Sequence, residues 1–359
     1  MRIKEKELIH PTGNILYLKT DKIMVKDVPN YQGGYYMPEN KIYSRYNPEN
    51  KYTLYRGDCF NLLKKINSNS VDLVITSPPY CMGKSYEDPK DDLSTFTQQH
   101  IKLIPEVYRV LNPGGSMCWQ IGYHVKESTV LPLDYVLFDI INHQMPDEIR
   151  NGLVLRNRIV WTFGHGLNSS KRFSGRHEVV LWYTKGTEYE FDLDSVRVPQ
   201  KYPGKRYYKG DKKGELSGNP LGKNPSDVWD IPNVKANHIE KTEHPCQFPV
   251  AVPQRFIKSL TPQNGVVFDP FVGSGTSGVA AIIENRRFIG SELSPEYYAI
   301  AKMRLEAAIS GDIRYREDKP VIEPDIKMAV ARLPDEFIAV RKLDEPFQAG
   351  IGLGIGGRR

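Results

Sequence analysis

One stretch constrains the fold more than any other. After the apolar run 266–268 the chain reads Asp269-Pro270-Phe271-Val272-Gly273-Ser274-Gly275-Thr276, and a helical pattern opens at once. A buried strand that turns into a helix through two glycines lets the backbone approach a ligand, because no Cβ stands in the way. Glu292 ends the next apolar run, about 20 residues on, where an acid can accept hydrogen bonds from ribose hydroxyls. The loop has no Gly-Lys-Ser/Thr with which to grip a triphosphate, so ATP is disfavoured. The expectation is a nucleoside cofactor held by Asp269 to Thr276 and by Glu292, with a merely tight turn as the plainer alternative.

The rest of the chain alternates strands with helices. Residues 52–55 read as a short strand and 71–76 (VDLVIT) as a buried one. Ile101, Ile104, Val107, Val110 and Leu111 recur at helical spacing, which predicts a helix over 98–111 that Pro113-Gly114-Gly115 stops. Further strands are expected at 116–121, 158–163, 178–183, 266–269 and 287–293, and helices at 131–141, 250–260, 276–285 and 296–308. Ser294 caps the last helix and Pro295 occupies its first turn. This rhythm indicates an α/β fold around a largely parallel sheet. Residues 1–50 read as a polar N-terminal arm with a hairpin around Gly33-Gly34. Residues 51–185 and 241–310 form two halves of one domain, 186–240 is a loop-rich insertion, and 311–359 is an extension expected to be partly mobile.

Composition narrows the partners. The 359 residues carry a formal charge of +6, are 40% hydrophobic and 26% charged, and have a mean hydropathy of −0.48. That is enough apolar matter for a core and too much for a disordered chain. No run approaches the roughly 18 apolar residues that cross a bilayer, and Met1 to Lys6 has no apolar segment behind it, so neither a membrane span nor a signal peptide is expected. Cys59, Cys81, Cys118 and Cys246 lie far apart, which disfavours a disulfide scaffold and a metal site and suits a reducing cytoplasm. Charge is concentrated in Arg197 to Lys213, whose net of +6 equals that of the whole chain. Tyr202, Tyr207 and Tyr208 are interleaved with Lys205, Arg206 and Lys209, so the segment offers cations for phosphates and faces for stacking. A solvated loop is the equal alternative. Lys171, Arg172 and Arg176 make a second basic cluster.

A second motif, Thr76-Ser77-Pro78-Pro79-Tyr80, closes the strand 71–76. Its two prolines fix φ and remove two amide donors, so the carbonyls of Ser77 and Pro78 are held in a rigid turn beside an aromatic ring. Together the two motifs resemble those of the S-adenosylmethionine-dependent amino-methyltransferases of DNA, over most of residues 52–308. Ser/Asp/Asn-Pro-Pro-Tyr is that family's catalytic tetrapeptide, here Ser77, Pro78, Pro79 and Tyr80, and Asp-Pro-Phe-x-Gly-Ser-Gly-Thr is its cofactor motif. Gly57-Asp58-Cys59 is similar to the element whose acid binds the adenine amine. Residues 110–115 (VLNPGG), 177–182 (HEVVLW) and 244–249 (HPCQFP, with Phe248) resemble three further family blocks. The catalytic motif precedes the cofactor motif with the basic segment between them, which resembles the permuted β group and makes 186–240 the target-recognition region.

The resemblance implies a Rossmann-like methyltransferase fold, S-adenosylmethionine as cofactor, double-stranded DNA as substrate, no metal, and a monomer or homodimer. It also brings a cognate restriction endonuclease into view as a partner. Ser at the first position of the tetrapeptide is typical of N4-cytosine enzymes, whereas Asp or Asn is typical of N6-adenine enzymes, so N4-cytosine is expected and N6-adenine is the runner-up. A methyltransferase for RNA or protein glutamine normally has the reverse motif order, and a vestigial DNA-binding module would not need intact motifs. Pro245-Cys246-Gln247 mimics the tripeptide of cytosine carbon-5 enzymes, but it precedes the cofactor loop and no Glu-Asn-Val accompanies it, so direct transfer is expected.

Overall fold

Side chains of the central strands alternate between two cores, as a period of two requires. Val74, Met117 and Trp119 face one, and Leu73, Ile75 and Cys118 the other. The computed structural model describes residues 50–80 and 92–318 apart from 165, 167 and 236, with short pieces at 8–9, 15–16, 34–37, 327–328 and 332–338.

The strands are β1 (Leu8–Ile9), β2 (Ile15–Leu16), β3 (Gly34–Met37), β4 (Tyr52–Arg56), β5 (Val71–Thr76), β6 (Leu111–Ile121), β7 (Tyr123–Lys126), β8 (Thr129–Pro132), β9 (Leu153–Thr162), β10 (His177–Lys185), β11 (Val228–Asp230), β12 (Val266–Asp269) and β13 (Arg287–Glu292). The helices are α1 (Cys59–Leu63), α2 (Leu93–Val110), α3 (Leu133–Asp139), α4 (Asp147–Gly152), α5 (Ala251–Leu260), α6 (Thr276–Ile283) and α7 (Pro295–Ser310). Nine strands form one sheet in the order β11-β9-β10-β6-β5-β12-β13-β4-β3. Strand β10 is antiparallel to both neighbours, and every other adjacent pair is parallel. The C-terminal ends of β4, β5, β6, β12 and β13 therefore share one edge, where β10 begins.

Helices cover both faces. Leu62 and Leu63 of α1 and Phe96, Leu103, Ile104 and Val107 of α2 pack into the first core. Phe256 and Ile257 of α5, Val279 and Ile282 of α6 and Leu305 of α7 pack into the second. Neighbouring strands β5 and β12 thus send their following helices to opposite faces. Adjacent parallel strands whose helices go to opposite faces mark the place where α/β sheets bind ligands.

Several expected elements shift. Gly34–Met37 is not a hairpin; it is the edge strand β3, parallel to β4. Residues 131–141 hold the end of a hairpin strand (Thr129–Pro132 paired with Tyr123–Lys126), then α3, then a π-turn at Ile140–Gln144. The loop-rich 186–240 contributes β11 to the main sheet, where Val228 to Asp230 pair with Val160 to Thr162. Helix α2 starts five residues before the expected position because Asp92 caps it, its side chain accepting from the Thr95 amide. The strand after it begins at Leu111, so Pro113-Gly114-Gly115 lies within β6. Cys81, Gly33 and the tail IGLGIGGRR lie outside the described residues.

Candidate functional site

The two motifs meet across the β5–β12 pair. Thr76, the last residue of β5, is fully buried and donates its hydroxyl to Oδ1 of Asp269, the last residue of β12, at 2.6 Å. The same oxygen accepts the Phe271 amide at 2.9 Å, and Oδ2 accepts the Ser277 hydroxyl. Burial pushes the Asp269 carboxyl up to about 6 against these three bonds. Asp269 is thus turned into the scaffold with both oxygens engaged. It ties the Ser77–Tyr80 turn to the glycine loop.

The glycine loop folds under its own constraints. Gly275 has φ +83° and caps α6, and a Cβ there would lie 3.0 Å from the Ala301 backbone, so this glycine admits helix α7 rather than a ligand. Gly273, at φ +53°, faces His244, whose Nε2 would stand 3.0 Å from an added Cβ. Behind the loop, buried Arg304 donates to the Ser274 carbonyl (2.8 Å), the Ser274 hydroxyl (3.1 Å) and the Thr276 hydroxyl (2.9 Å). Ser274 and Thr276 therefore secure the loop from within. Pro270 is buried and its carbonyl accepts the Ser291 hydroxyl at 2.8 Å, while Phe271 packs against the first core.

Glu292 lies where the sequence places it, at the end of β13. Oε2 accepts the Gly273 amide and Oε1 the Ser294 amide, each at 2.8 Å. Burial, with a smaller push from the Asp269 charge, raises its carboxyl to about 7. The Glu292 carbonyl accepts the Gly57 amide at 3.0 Å, which brings Asp58 to the same edge. Asp58 is exposed and caps α1 through Oδ1, which accepts the Phe60 amide at 2.7 Å. Cys59 is buried; burial and then the Asp58 charge raise its thiol to about 12, so it serves as neutral packing.

The 244–249 block packs beside the loop. Gln247 folds it, its Oε1 accepting the Thr242 amide (3.1 Å) and hydroxyl (2.8 Å) and its Nε2 donating to the Glu240 carbonyl (2.7 Å). His244 meets the Tyr297 ring at 4.4 Å between centroids, and burial, with the Lys241 and Arg304 charges, lowers its imidazole to about 4. Phe248 is half-buried against the second core. Cys246 is exposed and its amide donates to His244 Nδ1 at 3.3 Å.

In the tetrapeptide, Pro78 is buried while Ser77, Pro79 and Tyr80 are half-buried at the edge. The Tyr80 ring packs against the first core, and its hydroxyl lies 3.4 Å from Gln120 Nε2 of β6. Gln120 also donates to Glu178 at the start of β10. Thr76, Ser277, Gln120 and Arg304 are the site residues that motif reading misses. Thr76 adjoins the tetrapeptide, but nothing in the sequence signals a partner 193 residues away.

The two basic segments lie on other loops of the chain. Residues 205–217 form a hairpin: Arg206 pairs antiparallel with Leu216, and the Tyr207 amide donates to the Glu215 carbonyl at 2.9 Å. Tyr208 is 89% exposed and Lys205, Lys209, Lys212 and Lys213 are exposed. Arg206 is committed to structure, donating to the Gly214 carbonyl at 2.8 Å and standing 3.5 Å from Glu336. Lys171, Arg172 and Arg176 lie on the β9–β10 loop, and Arg176 Nη2 donates to Asn168 Oδ1 at 2.7 Å. Among the described residues no three His, Cys, Asp or Glu side chains converge to hold a metal, and no helix is long and apolar enough to cross a membrane.

The family described as DNA methylase, of N6 and N4 type, matches residues 71–303. The Type II methyltransferase M.BglII of Bacillus subtilis is 46% identical over 263 residues, covering 73% of this chain and 71% of that protein. The DNA adenine methyltransferase YhdJ of Escherichia coli (strain K12) is 32% identical over 263 residues, covering 71% of this chain and 83% of that protein. The solved structure of the cytosine-N4-specific PvuII DNA methyltransferase shares the fold, with a TM-score of 0.55 at 22% identity over 72% of this chain and 93% of that one.

Proposed function

The chain belongs to the N6/N4 DNA methylase family, whose methyl donor is S-adenosylmethionine, and we propose that its own reaction is methylation of the N4 amine of cytosine in double-stranded DNA. The observation that carries this reading is the Thr76–Asp269 bond, which sets an acceptor-rich turn beside a nucleoside loop. The residues present fit the cofactor. Glu292 is an acceptor for ribose hydroxyls, Asp58 Oδ2 has no described protein donor and suits an adenine amine, and the edge between them carries no phosphate grip.

S-adenosylmethionine supplies an electrophilic methyl on a sulfonium. The protein's task is to make a poor nucleophile competent. The lone pair of an exocyclic amine is delocalised into its ring. Acceptors at the Ser77 hydroxyl and the Pro78 carbonyl hold the amine protons and favour a pyramidal nitrogen with a localised lone pair. A rigid Pro78-Pro79 turn keeps those acceptors in place before substrate arrives, so little reorganisation is left for the reacting state. The base leaves the duplex to reach this turn, and the Tyr80 ring is the surface on which it stacks. Gln120, bonded to Glu178 and close to the Tyr80 hydroxyl, orients that ring. Cys246 plays no part, because transfer to nitrogen needs no covalent adduct on the ring. Lys205, Lys209, Lys171 and Arg172 contact phosphates, and 186–240 reads the target sequence.

Ser77 in place of the acid of N6 enzymes supports cytosine. The N6-adenine reading is kept because YhdJ, a relative at 32% identity, is named an adenine methyltransferase. The Type II names of relatives such as M.BglII support a place in a restriction–modification pair with a cognate endonuclease. The deciding experiment is mass spectrometry of nucleosides from DNA treated with purified enzyme. N4-methylcytosine is expected, N6-methyladenine selects the second reading, and neither product refutes both.

A further inference from the structure

The β9–β10 loop carries a side chain for which the fold has no use. Phe173 is 99% exposed, the most exposed large apolar side chain among the described residues. Lys171 and Arg172 precede it and Arg176 follows. The loop around it is tied down: the Ser169 amide donates to the Ser174 hydroxyl at 3.0 Å, Arg176 holds Asn168 at 2.7 Å, and the Phe163 amide donates to the Arg176 carbonyl at 3.0 Å. Arg172 donates back to the Phe173 carbonyl at 3.0 Å. A Cβ on Gly175 would fall 1.3 Å from the Tyr123 hydroxyl, so the loop is seated directly on β7. A phenyl ring is thus presented to solvent from a fixed turn with cations on both sides.

The turn also lies at the catalytic edge. His177 opens β10 opposite Thr162, and Val179 pairs with Ile121 at the end of β6. Glu178 accepts from Gln120, which reaches the Tyr80 hydroxyl. Phe173 is five residues from Glu178, so their Cα atoms lie at most about 18 Å apart. A duplex whose target base enters the Ser77–Tyr80 turn lies over this edge.

We propose that Phe173 is the wedge that enters the base stack and occupies the gap the target base leaves, with Lys171 and Arg172 seating the flanking phosphates. The inference rests on the methyltransferase reading above. Extruding a base breaks its pair and its stacking on two neighbours, and an apolar ring inserted at the gap restores stacking to those neighbours. The charges serve the same end, since cations beside the ring neutralise phosphates on either side of the opened step. A protein partner for this knob would have to accept a ring flanked by cations, whereas a nucleic acid supplies both the stacking surface and the counter-charge.

The test uses the full-length enzyme and two duplexes built on its mapped site, one fully paired and one with the target base opposite an abasic position. Phe173→Ala should lower kcat/KM on the paired duplex by about tenfold or more yet stay within about twofold of wild type on the loosened one, where the pairing is already broken. Phe173→Trp should keep activity on both. A 2-aminopurine beside the target base should brighten on binding wild type and Phe173→Trp but not Phe173→Ala, a signature that reports unstacking without chemistry. Equal loss on both duplexes, no loss on either, or a shift from dimer to monomer in light scattering of Phe173→Ala would each overturn the proposal. A wild type that methylates adenine moves the target base in both duplexes and leaves the test intact. A wild type that methylates no duplex DNA refutes the function instead, and the 2-aminopurine signal still decides the wedge.

Discussion

Thr76→Val isolates the bond that joins the two motifs. The replacement keeps the shape of a fully buried side chain and removes one of three donors to the Asp269 carboxylate, itself 1% exposed. A hydrogen bond to a charged group contributes about 1.5–3 kcal/mol, so stability should fall by about 2 kcal/mol where Asp269 is ionised. The pH dependence makes the prediction specific. Burial raises the Asp269 carboxyl from its ordinary 3.8 to about 6. Stability linked to this group is therefore fully present below the ordinary value and lost as pH rises through about 6. The Thr76 hydroxyl favours the ionised form, so removing it raises the carboxyl further and makes the variant's deficit grow with pH. Urea unfolding should give a deficit of about 2 kcal/mol near pH 8 that shrinks to about 1 kcal/mol or less near pH 5, where the bond joins neutral partners. In an Asp269→Asn background, where a neutral amide oxygen can still accept, the deficit should stay at about 1 kcal/mol or less at every pH in a double-mutant cycle. Turnover should fall more than stability, because the catalytic turn loses its tie to the cofactor loop. A deficit equal at both pH values, or one that still grows with pH in Asp269→Asn, would refute the coupling.

Three other outcomes are expected. Glu292 is held neutral below about 7, and its ionised form is the better acceptor for ribose hydroxyls; S-adenosylmethionine affinity should therefore weaken by up to about tenfold per pH unit below that point, and calorimetry of Glu292→Gln should show weaker, pH-flat binding. Cys246→Ser should keep its methylation rate within about threefold, since an exposed thiol bonded only through its amide takes no part in direct transfer; total loss together with an adduct on 5-fluorocytosine DNA would restore the carbon-5 reading. Replacing Lys205, Lys209 and Lys212 with alanine should reduce the slope of log affinity against log salt by up to about one per lost phosphate contact, with S-adenosylmethionine binding unchanged; Arg206 is left alone because it holds the hairpin.

The sequence carries the parts of the site that depend on local chemistry. Gly273-Ser274-Gly275 between a strand and a helix, and two prolines after VDLVIT, are legible because backbone freedom and its loss are properties of single residues. Strands buried on both faces, such as Val266–Asp269, are legible as apolar runs. What fails is what tertiary partners decide. Gly275 reads as a ligand cradle, yet its near neighbour is Ala301 of α7. Nothing local signals that Asp269 bonds Thr76 and Ser277. The start of helix α2 at Leu93 is set by the Asp92 cap, ahead of the apolar positions that reveal the helix. The reversed β10 and the edge strands β3 and β11 are set by pairing, which no local period encodes.

The strand order also sets a timetable for the ribosome. In the sheet, β4 with β3 on one side and β5 with β6 on the other are joined through β12 and β13, the last of its nine strands to be made. Thr76 waits 193 residues for Asp269, which at about 5–20 residues per second is some 10–40 s of synthesis. Throughout that interval the inner edges of β4 and β5 present unpaired amides and carbonyls, flanked by the apolar side chains of Leu54, Leu73 and Ile75. A nascent chain of this enzyme is therefore a client for holdase chaperones until its final strands arrive. The same order disarms a chain cut short early: a ribosome that stalls before β12 releases a protein that has its proposed acceptor turn but no place for a methyl donor.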